Sequence, residues 1–86
     1  MQTQKVTGEA IRKLRNLKGL GQKDAGSRLN ISQQAYSKIE KKEQIKPNLL
    51  NKIMRAFNCS EVEFEKINGY PPHKLIIPFI EIILFT

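Results

Sequence analysis

Tryptophan is absent, and cysteine and histidine occur once each, as Cys59 and His73. A single cysteine forms no internal disulfide and cannot supply a Cys-rich zinc site, so the sequence reads as intracellular and a cytoplasmic location is expected. Cys59 falls at a helix boundary and suits a small buried hydrophobe better than a reactive thiol. His73 stands between Pro72 and Lys74 and reads as a surface residue. Glu61, Glu63 and Glu65 alternate and so do not converge on one metal, and there is no Gly-rich phosphate loop. With no metal, cofactor or active site in view, an enzyme is not expected. Long apolar runs are also missing. The most apolar stretch, Leu75 to Phe85, is interrupted by Pro78 and Glu81, and a membrane span needs roughly twenty residues. The start, Met1-Gln2-Thr3-Gln4-Lys5, lacks the apolar run of a signal peptide. At 86 residues the chain has room for one small core and none for a second domain of ordinary size.

Charge of one sign, by contrast, is plentiful. Fifteen Lys and Arg face eight Asp and Glu, a net +7. The excess lies at one end: residues 1–55 carry thirteen basic and four acidic side chains, whereas residues 56–86 carry two basic and four acidic. A basic amino-terminal body fits a polyanion, because each neutralised phosphate releases counterions. It equally fits a well-solvated surface, and charge does not choose between them.

Hydrophobic spacing predicts five short helices. Thr7 suits an N-cap, with Ala10, Ile11, Leu14 and Leu17 following at helical spacing, and Lys18-Gly19 suits a basic last turn and a left-handed stop. The first helix is therefore placed at about residues 8–18. A second fits Gln22 to Leu29, with Ala25, Gly26 and Leu29 inward. Asn30-Ile31-Ser32 makes a tight break, since Asn tolerates the left-handed conformation and Ser32 suits an N-cap. A third helix fits Gln33 to Lys41, anchored by Tyr36 and Ile39. Two short helices meeting at such a turn form a helix-turn-helix. Pro47 opens a fourth helix with Leu49, Leu50, Ile53, Met54 and Phe57 as its stripe, ended by Asn58. Ser60 and Glu63 form a capping box for a fifth, with Val62, Phe64 and Ile67 apolar and Cys59 and Phe64 at the staple positions.

After Gly69 the character changes. Tyr70-Pro71-Pro72 reads as a stiff linker, and residues 75–86 form an apolar tail whose β-branched and aromatic content favours a strand. The expected organisation is a helical domain over residues 1–69 and a linker and tail over 70–86. The tail either pairs with a second chain or folds back on its own domain.

The third helix carries the densest signal. Gln33, Gln34, Ser37, Lys38 and Lys41 fall at i, i+1, i+4, i+5 and i+8 and share one face. Gln pairs bidentately with adenine, Ser reaches base or phosphate, and Lys reaches guanine or phosphate. An ordinary solvated face remains the alternative.

The residues from Thr7 to Ile67 resemble the Cro/C1-type, or XRE-type, helix-turn-helix proteins. The carriers are Ile11-Arg12-Lys13-Leu14-Arg15 ahead of Lys18-Gly19-Leu20, Gln22 opening the second helix, Leu29-Asn30-Ile31-Ser32, Ser37-Lys38-Ile39-Glu40, and Pro47 before an apolar helix. The resemblance implies an all-α, five-helix, lambda-repressor-like fold that binds double-stranded DNA as a small regulator, a repressor or autoregulator acting as a homodimer. It implies that Gln22 braces a backbone phosphate, that Gln33 and Gln34 reach base edges, and that Ser37 and Lys38 lie on the same groove-facing side; Lys41 joins them by its place on the predicted face. It also implies a structural Arg15–Glu40 ion pair between the first and third helices. An antitoxin whose tail covers a protein toxin is the alternative role. Three departures stand out: Ala25 where Leu is usual, Gly26 where Ala is usual, and Lys42 where Gly is usual. They bear on core volume, helix propensity and loop closure rather than on the groove-facing donors.

Overall fold

A computed structural model describes residues 5–72, which form five α-helices and, among the described residues, no strand. The helices are α1 (Gly8–Leu17), α2 (Gln22–Arg28), α3 (Gln33–Glu40), α4 (Pro47–Ala56) and α5 (Glu61–Asn68). The apolar tail lies outside the described residues, and with it the expected strand.

Local chemistry sets the helix ends. Thr7 Oγ1 accepts from Ala10 N at 3.3 Å, Ser32 Oγ from Ala35 N at 3.0 Å, and Ser60 Oγ from Glu63 N at 3.1 Å. The capping box closes when Ser60 N donates to Glu63 Oε1 at 3.0 Å. Three helices stop in the same way. Gly19, Asn30 and Asn58 take left-handed φ of 69°, 63° and 54° just past α1, α2 and α4. The next residues, Leu20, Ile31 and Cys59, then donate back to Arg15 O, Gly26 O and Met54 O at 3.1, 2.9 and 2.8 Å. This six-to-one bond satisfies a carbonyl that the helix end would leave unpaired. The α2–α3 turn is thus a Schellman stop running directly into a serine cap.

Tyr36, Phe57, Phe64, Ile11, Leu14, Leu50 and Ile53 are the largest fully buried side chains, and no polar or charged residue is buried among the described residues. α3 is the central element, packed against both α2 and α1, while α1 also packs on α5. Most of the predicted stripe residues face this core; Ile67 is only half-buried, and two others are exposed. Leu17, the last residue of α1, is half exposed. Val62 is 64% exposed, because it lies about 200° around α5 from Phe64, on the side away from the core. Val6, Ile45 and Cys59 join the core from outside the helices. Ile45 N donates to Val6 O at 2.7 Å and Gly8 N to Lys42 O at 2.9 Å, stitching the first segment to the α3–α4 connection. Lys42 makes this closure without a left-handed backbone, so the glycine usual at that position is not required here. Packing also extends to Tyr70, which meets Phe64 edge-on at 5.6 Å and whose hydroxyl donates to Lys5 O at 3.2 Å.

Two glycines set how closely α3 can be approached. A Cβ on Gly8 would lie 2.4 Å from the carbonyl oxygens of Ile39 and Glu40. One on Gly26 would lie 3.0 Å from those of Ile31 and Ser32. Gly26 therefore gives up helix propensity in exchange for bringing α2 against the turn that follows it.

Candidate nucleic-acid interface

α3 is anchored on one side and open on the other. Tyr36 and Ile39 are buried, and the Tyr36 and Phe57 rings meet at 6.2 Å. On the opposite side Gln33, Gln34, Lys38 and Lys41 are exposed and Ser37 is half-buried. None of these five side chains makes a hydrogen bond or ion pair with another described residue, so their donors and acceptors remain available to a partner. α3 ends at Glu40, and Lys41 is its C-cap, so the fifth member of the face stands just past the helix.

Glu40 holds this helix in place. Its carboxylate accepts from Arg15 Nε at 2.6 Å and Nη2 at 3.3 Å, from Gln22 Nε2 at 3.1 Å, and from the Tyr36 hydroxyl. Arg15 also donates to Leu20 O at 2.9 Å. The expected Arg15–Glu40 pair is therefore present, with side-chain exposures of 13% and 6%, and it forms one part of a four-residue network. Burial pushes the Glu40 carboxyl up, but hydrogen bonds from Arg15, Tyr36 and Gln22 outweigh it and hold the group below the usual glutamate value. Burial and the hydrogen bond to Glu40 push the Tyr36 hydroxyl up. Arg15 is held above its usual value by the hydrogen bond to Glu40.

Gln22, predicted to brace a phosphate, is half-buried and tied to Glu40 by one side-chain amide hydrogen. Its second amide hydrogen and its carbonyl oxygen carry no bond to a described residue. The sequence did not disclose this tie, because its partners are eighteen residues apart. Gln22, Ser37 and Lys41 come together around a cleft between α1, α2 and α3, which Arg12 and Glu9 also line. Gln33 lies at a second groove, in the elbow of α2 and α3, beside Lys23, Ser27 and Asn30. Lys23, Ser27, Asn30 and Arg12 join these grooves through the tertiary fold, beyond the face that helical spacing in α3 marks out. Other cations hold the fold instead: Lys18 pairs with Glu63 at 3.1 Å, and Arg28 donates to Ala56 O at 3.1 Å at the end of α4.

Among the described residues no group of three or more His, Cys, Asp or Glu side chains is placed to hold a metal ion. No described helix is long and apolar enough to cross a membrane.

Five short helices, a left-handed stop running into a capped third helix, and an unengaged polar face on that helix define a helix-turn-helix protein. The helix-turn-helix family model matches residues 11–64, and the chain belongs to that family, in its Cro/C1 or XRE branch. It is accordingly a DNA-binding transcription regulator in general kind, within a family of regulators rather than of enzymes. No curated protein and no solved structure matches the chain.

Proposed function

We propose that the protein binds duplex DNA sequence-specifically and acts as a small transcriptional repressor or autoregulator. Gln33 and Gln34, in the first turn of α3, read base edges in the major groove, with Ser37 and Lys38 beside them. Gln22 and Lys41 hold the backbone. The observation that carries this proposal is the free polar face of α3 on a helix whose other side is fixed by Tyr36, Ile39 and the Glu40 network. A face left without internal partners on so firmly held a helix is suited to external recognition.

A homodimer completes the proposal, since paired recognition helices meet successive major grooves. The apolar composition of residues 75–86 supports a protein contact there, and the same composition favours a second role as an antitoxin whose tail covers a toxin. Selection of bound duplexes from a random pool near physiological salt tests the main proposal. The parent should enrich a two-fold symmetric motif, and a Gln33→Ala/Gln34→Ala variant should lose it, each lost bidentate pair removing about 1–3 kcal/mol of discrimination. A folded parent that enriches no sequence rejects the proposal.

A further inference from the structure

The cleft between α1, α2 and α3 is lined by Glu9, Arg12, Gln22, Ser37, Glu40 and Lys41. Gln22, Ser37 and Lys41 belong to the surface proposed above to meet DNA, and Arg12 adds a cation from α1 that the proposal has not used. The charges in the cleft are not equivalent. Glu40 is saturated by Arg15, Tyr36 and Gln22. Lys41 makes no ion pair with a described residue. Arg12 is engaged by Glu9 through a single Nη2–Oε2 contact of 3.0 Å, with both side chains more than half exposed (51% and 61%). An exposed pair at this spacing is weak and readily exchanged, and one contact leaves most of the guanidinium donors unused. A phosphate matches the planar fork of Arg bidentately, which this single carboxylate contact does not.

We infer that this cleft seats one phosphate of the DNA backbone, held by Arg12 and Lys41 beside the Gln22 amide, and that Glu9 is its built-in competitor. In the free protein the Glu9 carboxylate occupies Arg12; when DNA arrives, the phosphate takes the guanidinium and Glu9 turns to solvent. The inference rests on the DNA-binding reading above. A competitor of this kind weakens binding to every sequence alike and leaves the choice among sequences to Gln33 and Gln34.

Fluorescence anisotropy of the full chain on a short labelled duplex of mixed sequence, over a salt series, tests it with the parent, Glu9→Gln, Arg12→Gln and the double variant, each checked for folding by circular dichroism. Glu9→Gln should bind about two- to fivefold more tightly. Arg12→Gln should bind more weakly, with a salt slope shallower by about one. In the Arg12→Gln background, Glu9→Gln should change nothing. If Glu9→Gln tightens binding equally with and without Arg12, it acts only through overall charge and the competitor is disproved. A Glu9→Gln that binds no more tightly than the parent, or an Arg12→Gln that leaves affinity and slope unchanged, also overturns it. If the parent binds no duplex even at low salt, the DNA-binding reading fails first and takes the inference with it.

Discussion

Glu40 shows how much one side chain carries in a small protein. Its carboxylate is the common acceptor for Arg15 of α1, Gln22 of α2 and Tyr36 of its own helix. Replacing it by Gln turns an amide toward Arg15 and leaves nearly buried donors without an acceptor, which should cost about 3 kcal/mol of stability at neutral pH. The sign of the pH dependence follows from the direction of the shift. A carboxyl held lower in the folded state than in the unfolded chain contributes its stability above the unfolded value, about 4.3 for Glu, and loses it as pH falls through the folded value. Urea unfolding at a series of pH values should therefore show the gap between the parent and Glu40→Gln closing below about pH 4.3. A gap that persists unchanged in acid would mean that the carboxylate charge is not what matters. The sequence disclosed the Arg15–Glu40 pair through family resemblance, but not Gln22's part in it. Arg12 was equally hidden, since Glu9 three residues before it reads as an ordinary solvated pair on a helix surface.

At the scale of the elements, what was legible was local. Caps, stops and apolar stripes act over three or four residues, and Thr7, Ser32, Ser60, Gly19 and Asn30 all serve as their types suggest. What was not legible depends on distant chain. Val6 and Ile45 are single apolar residues in polar surroundings, and they enter the core where backbone bonds join the first segment to the α3–α4 connection. Val62 misled because an apolar residue in a short helix need not lie on its inner side. Gly8 gives the sharpest case. In an isolated helix Gly→Ala is stabilising by about 1 kcal/mol. Here a Cβ would meet two carbonyl oxygens of α3 at 2.4 Å, so α1 must back away. Gly8→Ala should lower stability by about 1–3 kcal/mol, the usual range for overpacking. Thermal and urea unfolding decide the sign, and a raised midpoint would show that α1 and α3 are not so close. The exposed side of α3 was legible for the converse reason: with Tyr36 and Ile39 fixed inward, helical spacing assigns Gln33, Gln34, Lys38 and Lys41 outward.

The whole molecule divides by charge and by polarity. Its basic excess lies in residues 1–55, which include α1, α2 and α3, and its longest apolar run lies in residues 75–86. A dimer formed through that run should appear as twice the monomer mass in light scattering, and deletion of residues 75–86 should return it to the monomer. A parent that is already monomeric, or a deletion that remains dimeric, would place self-association elsewhere or remove it. DNA binding by one truncated copy should then weaken without a change in the bases preferred, because Gln33 and Gln34 stay in place.

Tyr70 and Lys5 bring the two ends of the helical body side by side. Mechanically, the ends of the body are closed by the Tyr70–Lys5 hydrogen bond and the edge-on Tyr70–Phe64 contact, with α1 packed on α5 and Lys18 paired to Glu63 behind them. Tension between the ends would load the Tyr70–Lys5 hydrogen bond first and would pass through Phe64 directly into α5. Once that bond gave way, the packing of α1 on α5 and the Lys18–Glu63 pair would bear the load next.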